Sequence, residues 1–231
     1  VKTDACAKFI SRHLYNFFVA DEPQIPAWSI EPPKDQEAMD ILVKTFLDSD
    51  ADMKEVMRTM FKSEFFKNSM FKRVKCPAEF IASTLKLTSE IGPKDSRLSG
   101  LHGLSTVMGQ TLLDPPTVEG WHTGKEWIDG GSLTERINYA VDLISDMENV
   151  GSKFLVDSLI MSDTELSSEQ LVNGVLENAG HLEVSDQTFE QLLDIASKGP
   201  SVGNNNDNED VRSKVIQLYT LLVSSPEFQL A

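Results

Sequence analysis

Four histidines, two cysteines and a run of aspartates are the first places to look for chemistry in this chain. No two of His13, His102, His122 and His181 stand three or four positions apart. None therefore pairs on one helical face to hold zinc. Asp48-Ser49-Asp50-Ala51-Asp52 opens like a calcium loop. Its sixth position is Met53 where the turn needs glycine, and its twelfth is Thr59 where the ion needs a bidentate glutamate. The aspartates read instead as a polar turn in which Asp50 or Asp52 caps the next helix. Cys6 and Cys76 lie too far apart for a metal spacing or a disulfide framework. They read as two buried thiols, with a single bridge as the alternative. His13 sits on an apolar helical face and reads as a hydrogen-bonded core histidine. Gly-x-Ser-x-Gly, the phosphate-binding glycine loop and the dinucleotide fingerprint are all absent. The many carboxylates follow from composition, not from a spaced acid/base pair. No metal and no cofactor is expected.

The most distinctive stretch is Gln110 to Gly131, with Asp114, Pro115, Pro116, Gly120, Trp121, His122, Gly124 and Trp127. Prolines fix its start and glycines permit left-handed turns. The two indoles, six positions apart, can fold back as a buried plug under an Ω-loop. They can also stand open as a stacking platform for a sugar or an aromatic ligand. A platform would become an active site if His122 with a carboxylate, or two of Asp114, Glu119, Glu126 and Asp129, converged in an open pocket beside an exposed indole. The plug reading expects both indoles mostly buried. It also expects Arg136, in the following helix, to bond loop carbonyls or Asp129.

The elements around this loop are helical. Cys6, Phe9, Ile10, His13, Leu14 and Phe17 step by three and one along one helical face. Ala38, Ile41, Leu42 and Phe46 form a second stripe after Pro32-Pro33, and Met53, Val56, Met57, Met60 and Phe61 a third. Pro77 suits the first turn of a helix carrying Phe80, Ile81, Thr84 and Leu85, which Gly92-Pro93 would end. Leu101, Leu104, Val107, Met108 and Leu112 suggest a fifth. Ser132 with Glu135 reads as a capping box before Leu133, Ile137, Ala140, Val141 and Ile144. Ser167 with Gln170 reads as a second. Phe154 to Ile160, Leu171 to Ala179, Phe189 to Ala196 and Val211 to Leu222 continue the helical pattern to the end of the chain. Residues 199–208, rich in asparagine with Gly199, Pro200 and Gly203, read as a mobile loop. Met60-Phe61-Lys62-Ser63-Glu64-Phe65 echoes Val223-Ser224-Ser225-Pro226-Glu227-Phe228. This is read as shared turn chemistry in preference to a duplicated unit.

The fold class is thus all-α, an irregular multi-helix array with one long Gly/Pro/Trp-rich loop. It is read as one domain, residues 1–145 as the core and 146–231 as a C-terminal helical extension, with two separable helical domains as the alternative. Of 231 residues, 21 are Lys or Arg and 36 are Asp or Glu, giving a net charge of −15. That balance repels phosphate backbones and anionic membranes, so no nucleic-acid partner is expected. The apolar fraction of 40% supports a real core. No run approaches the ~18 apolar residues of a membrane span. The first residue is Val1, not methionine, which reads as a fragment or a processed chain.

Three segments resemble a bacterial family called "domain of unknown function 1800". They are Phe9-Ile10-Ser11-Arg12-His13-Leu14-Tyr15-Asn16-Phe17-Phe18-Val19, then Lys75-Cys76-Pro77-Ala78-Glu79-Phe80, then the Gly-Gln…Pro-Pro…Gly-Trp…Trp loop with Leu133-Thr134-Glu135-Arg136-Ile137-Asn138-Tyr139-Ala140. The Ser-Ser-Pro-Glu-Phe ending is also typical. The resemblance implies an exported bacterial protein, in the periplasm or cell envelope. Members are usually about twice as long, so it also implies a C-terminal half that contacts a missing N-terminal half. Their genes often neighbour a secreted sulfatase-like family, which implies a scaffold or partner for such a hydrolase. The alternative is a polysaccharide hydrolase with its site at Trp121 and Trp127. No catalytic residue carries over. Gln110, Pro115, Pro116, Gly120, Trp121, Trp127, Arg136 and Asn138 are motif positions, with Asp114 and His122 beside them.

Overall fold

The computed structural model describes residues 2–23, 25–88 and 98–231. Among them are eleven α-helices, three short 3-10 helices and no strand beyond isolated bridges. The fold is all-α, as the periodicity indicates. Contacts divide the chain into two units. The expected end of Gly92-Pro93 lies outside the described residues.

The first unit is Val1–Val74 with His122–Glu126 and Ala231. It holds α1 (Asp4–Phe18), α2 (Gln36–Asp48), α3 (Met53–Lys62) and α4 (Glu64–Lys67). Thr3 caps α1, Asp35 caps α2 and Asp52 caps α3, each accepting a backbone N–H of the first turn. The Asp48–Asp52 run is therefore a turn that caps a helix. The core is Ala7, Tyr15, Leu42, Phe46, Val56 and Met60 with their neighbours.

The buried face of α1 departs from the apolar stripe. Ala7, Ser11, Arg12 and Tyr15 are buried, while Phe9 and Phe17 are largely exposed. The reason is Arg12. Its Nε donates to Glu22 at 2.8 Å, its Nη1 to the carbonyls of Trp28 and Glu31, and its Nη2 to that of Pro32. A buried cation with its donors satisfied can hold a core position that a count of apolar residues assigns to Phe9. His13 is likewise not hydrogen-bonded among the described residues. Its ring packs edge-on between Phe9 (4.3 Å) and Trp28 (4.6 Å), and burial lowers its pKa.

The second unit is Lys75–Trp121 and Trp127–Leu230. It holds α5 (Pro77–Leu87), α6 (Leu98–Val107), α7 (Gly130–Ser145), α8 (Val150–Ile160), α9 (Ser168–Asn178), α10 (Asp186–Ser197) and α11 (Glu209–Ser224). The position read as the start of an extension, residue 146, lies inside this unit. α11 is its axis and buries Val211, Val215, Leu218, Tyr219, Leu222 and Val223. α7 and α10 pack against it. The Ser167–Gln170 capping box is present on α9. The Ser132–Glu135 box is not: α7 starts two residues earlier, at Gly130, and Asp129 caps it by accepting the Ser132 N–H at 2.8 Å. α6 stops at Val107, so Leu112 is exposed and not part of its stripe.

The two similar Ser-centred segments share one device. Ser63 ends α3 and caps α4 through the Phe66 N–H. Ser225 ends α11 and accepts the Phe228 N–H of the closing 3-10 turn. Both serines have extended backbone near φ −72°.

Candidate functional site

The N-terminal end of α5 is where motif residues from distant parts of the sequence converge. Cys76 caps this helix and Pro77 takes its first position, where a missing N–H costs nothing. The Glu79 carboxylate accepts the Cys76 N–H at 2.9 Å, completing a capping box. Gln110, buried between α6 and the loop, accepts the Ala78 N–H on its Oε1 at 2.8 Å. Arg136 reaches the same place from α7 and donates from Nη2 to the Lys75 carbonyl at 2.8 Å. Its guanidinium lies over the Phe80 ring, 5.1 Å from the centroid. Lys75 then donates its N–H to the Gln229 carbonyl and its Nζ to the Phe228 carbonyl, each at 2.9 Å.

Burial governs the electrostatics here. It lowers the Lys75 pKa to about 8, with Glu79 opposing and the Arg136 charge adding. It lowers Arg136 to about 10, and it pushes the Cys76 thiol up. Cys76 is a neutral, part-buried thiol, and both Cys6 and Cys76 are free. Sequence reasoning missed Lys75, Cys76, Glu79 and Gln229 as members of one cluster. The signal was present in the Lys-x-Pro-x-Glu segment, whose glutamate three positions after a helix cap marks a capping box.

The loop places its candidates in several surroundings. Trp127 is buried, 5% exposed, and its carbonyl accepts the Ser132 hydroxyl at 2.8 Å. Trp121 is only half-buried, and its indole N–H donates to the Thr111 carbonyl at 3.1 Å. Asp114, Pro115, Pro116 and Asn138 are exposed. Gly120 closes a tight turn at φ 101°, with its N–H on the Thr117 carbonyl. His122 Nδ1 lies 2.5 Å from Glu126 Oε2, both side chains well exposed. Asp129 is engaged in capping α7, and Glu119 is exposed. Arg136 bonds neither a loop carbonyl nor Asp129; its one hydrogen bond among the described residues goes to Lys75, because its side chain runs to the α5 end. The loop tip instead presents Leu113, 96% exposed and left-handed at φ 65°, together with a fully exposed Val118.

Chemically, the motif's polar groups hold backbone: Gln110 an amide, Arg136 a carbonyl, Trp121 a carbonyl, Asp129 a helix start. Among the described residues no group of three His, Cys, Asp or Glu side chains is placed to hold a metal ion. No described helix is long and apolar enough to cross a membrane. No curated protein and no solved structure matches the chain. The family described as "Protein of unknown function (DUF1800)" matches it over residues 1–230, and the chain belongs to that family.

Proposed function

We propose that this is a non-catalytic helical protein, exported in bacteria, that serves as a scaffold or partner for a secreted sulfatase-like hydrolase. One observation carries the reading. The motif side chains Gln110, Arg136 and Trp121 are committed to backbone groups of their own chain, and among the described residues only His122 and Glu126 of the loop's candidate acid and base groups meet. Residues spent in this way specify a fixed shape, which is what a binding surface needs. The exposed aliphatic tip at Leu113 and Val118 fits the same reading, since a strained, fully exposed leucine contributes nothing to its own fold. The test is sedimentation of the purified chain with the sulfatase-like protein encoded beside it. A complex of defined stoichiometry, and no polysaccharide cleavage by this chain alone, is the expected result. Absence of a complex at micromolar concentration overturns the partnership.

The hydrolase reading keeps one specific observation, the contact between His122 and Glu126. Under it, Glu126→Gln abolishes release of reducing ends from polysaccharide while leaving the fold intact. If the wild-type chain releases none, that reading ends.

A further inference from the structure

A cleft of about 760 Å³ opens in the first unit between α1, residues 28–33 and α2. Met39 and Val43 line it from α2, and Phe9 and Trp28 line it opposite. Phe9 is 51% exposed and Ile30 82%. Isolated exposed apolar residues are ordinary, but a concave group of them around an indole is the form of a recognition site.

The charges around the cleft have a definite balance. Arg12 lines it, yet its cation is consumed by buried Glu22 and its remaining donors by three carbonyls. Lys8 pairs with Asp4, one helical turn away. The field at Lys8 is negative: Asp4 first, and then Asp40, raise its pKa. Glu31 and Asp40 remain. Among the described residues neither takes part in an ion pair, and Asp40 accepts only the Gln36 amide, at 2.7 Å. The cleft is aromatic and apolar within and negative at its rim, on a chain of net charge −15.

We infer that this cleft docks a basic, apolar segment of a partner protein, whose leucine-like or aromatic side chains enter beside Trp28 and Phe9 and whose lysine or arginine side chains reach Glu31 and Asp40. The long stems of such cations also cover apolar surface on the way to the carboxylates. An acidic segment meets like charge at the rim and from the whole molecule, which slows its approach and costs it affinity. The inference rests on the partner-binding reading above and gives it a docking point, without requiring that the partner be the hydrolase.

The experiment titrates the full chain with two labelled synthetic peptides, leucine and lysine at helical spacing in one, leucine and glutamate in the other. The lysine peptide is expected to bind at one site, at least about tenfold tighter than the glutamate peptide. Glu31→Lys with Asp40→Lys should weaken it by at least about tenfold, and Ile30→Ser should weaken it without touching charge. All three positions are exposed, so these variants keep the fold, which circular dichroism verifies. Asp142→Lys with Glu148→Lys makes the same charge change at exposed positions of the second unit, and should leave binding unaltered. Equal binding of both peptides, or equal loss in the control pair, overturns the inference. If the lysine peptide binds at the cleft while the hydrolase fails to associate, the cleft stands and the named partner falls. If the hydrolase associates and the cleft variants change neither titration, the cleft falls alone.

Discussion

The two loop tryptophans, alike in sequence, do different work. Trp127 is a buried anchor, so Trp127→Ala should cost about 3–5 kcal/mol of unfolding free energy. Trp121 is half-buried with one carbonyl bond, so Trp121→Ala should cost about 1–2 kcal/mol. Urea denaturation of the two mutants checks the order, and equal losses would contradict it. Arg136 permits a sharper contrast. Its side chain is wholly buried, stacked on Phe80, and carries a charge whose Nε and Nη1 have no hydrogen-bond partner among the described residues. Arg136→Met keeps the stacking volume and removes a desolvated cation, so stability should change by less than about 1.5 kcal/mol or rise. Arg136→Ala leaves a cavity and should cost about 3 kcal/mol or more. Lys75 has a pH signature. Its folded pKa, about 8, lies below its ordinary value of 10.5. Between those values the unfolded chain binds more protons than the folded one, so this group's contribution to stability rises with pH from about 8 upward and is least favourable below 8. Cys76, and Tyr15 and Tyr219 at about 12, act in the opposite sense at the upper end. The difference between wild type and Lys75→Met isolates the lysine: the mutant's relative stability should be greatest below pH 8 and decline above it.

Among the elements, the segment around residues 199–208, read as mobile, is held at both ends, with an exposed tip between them: Asp207 pairs with Arg212 and Asn208 caps α11 by accepting the Val211 N–H. The Leu166 N–H bonds the Val202 carbonyl at 2.8 Å, and the Asn204 N–H bonds Thr164. Gly203 lies so close to the Thr164 carbonyl that an added Cβ would come within 2.3 Å of it, at a φ of 97°. Gly203→Ala should therefore cost more than about 2 kcal/mol, through both clash and strain. Limited proteolysis of the wild type should cut between 204 and 208, and the mutant should be cut faster. Protection of 204–208 would count against an open tip. Helix existence was readable from the sequence, because caps and stripes are local. Pro77 and Ser167 mark starts that the structure reproduces. Faces were less readable where a polar residue is buried with its donors satisfied, as Arg12 is. The start of α7 was misread because Asp129, Ser132 and Glu135 all carry capping chemistry, and which one acts is decided by the turn preceding the helix.

At the scale of the molecule, surplus negative charge opposes compaction. Moderate salt should raise the melting temperature, since screening weakens repulsion among exposed carboxylates more than it weakens the buried Arg12–Glu22 pair. A melting temperature that falls on adding sodium chloride would contradict this. The convergence at the α5 end was not legible in the sequence. Its partners come from positions separated by 32, 61 and 153 residues, and periodicity carries no information at that range. The motif segments could be named as segments; that Gln110 and Arg136 meet at one helix end needed coordinates.

The bond from Lys75 to Phe228 also orders events in time. Phe80 packs edge-on against Phe228, 5.8 Å between ring centroids, so the second unit's beginning is completed by residues made near the end of this stretch. During translation α5 emerges long before the partner that covers it, and its apolar face waits on the ribosome, exposed to chaperones and to premature association. The Arg12 cluster carries no such delay, because it finds its acceptors within about twenty positions, a loop that closes quickly. A nascent chain arrested before Phe228 is therefore a half-folded one: its Arg12 cluster is set while the second unit still lacks the ring that seals it.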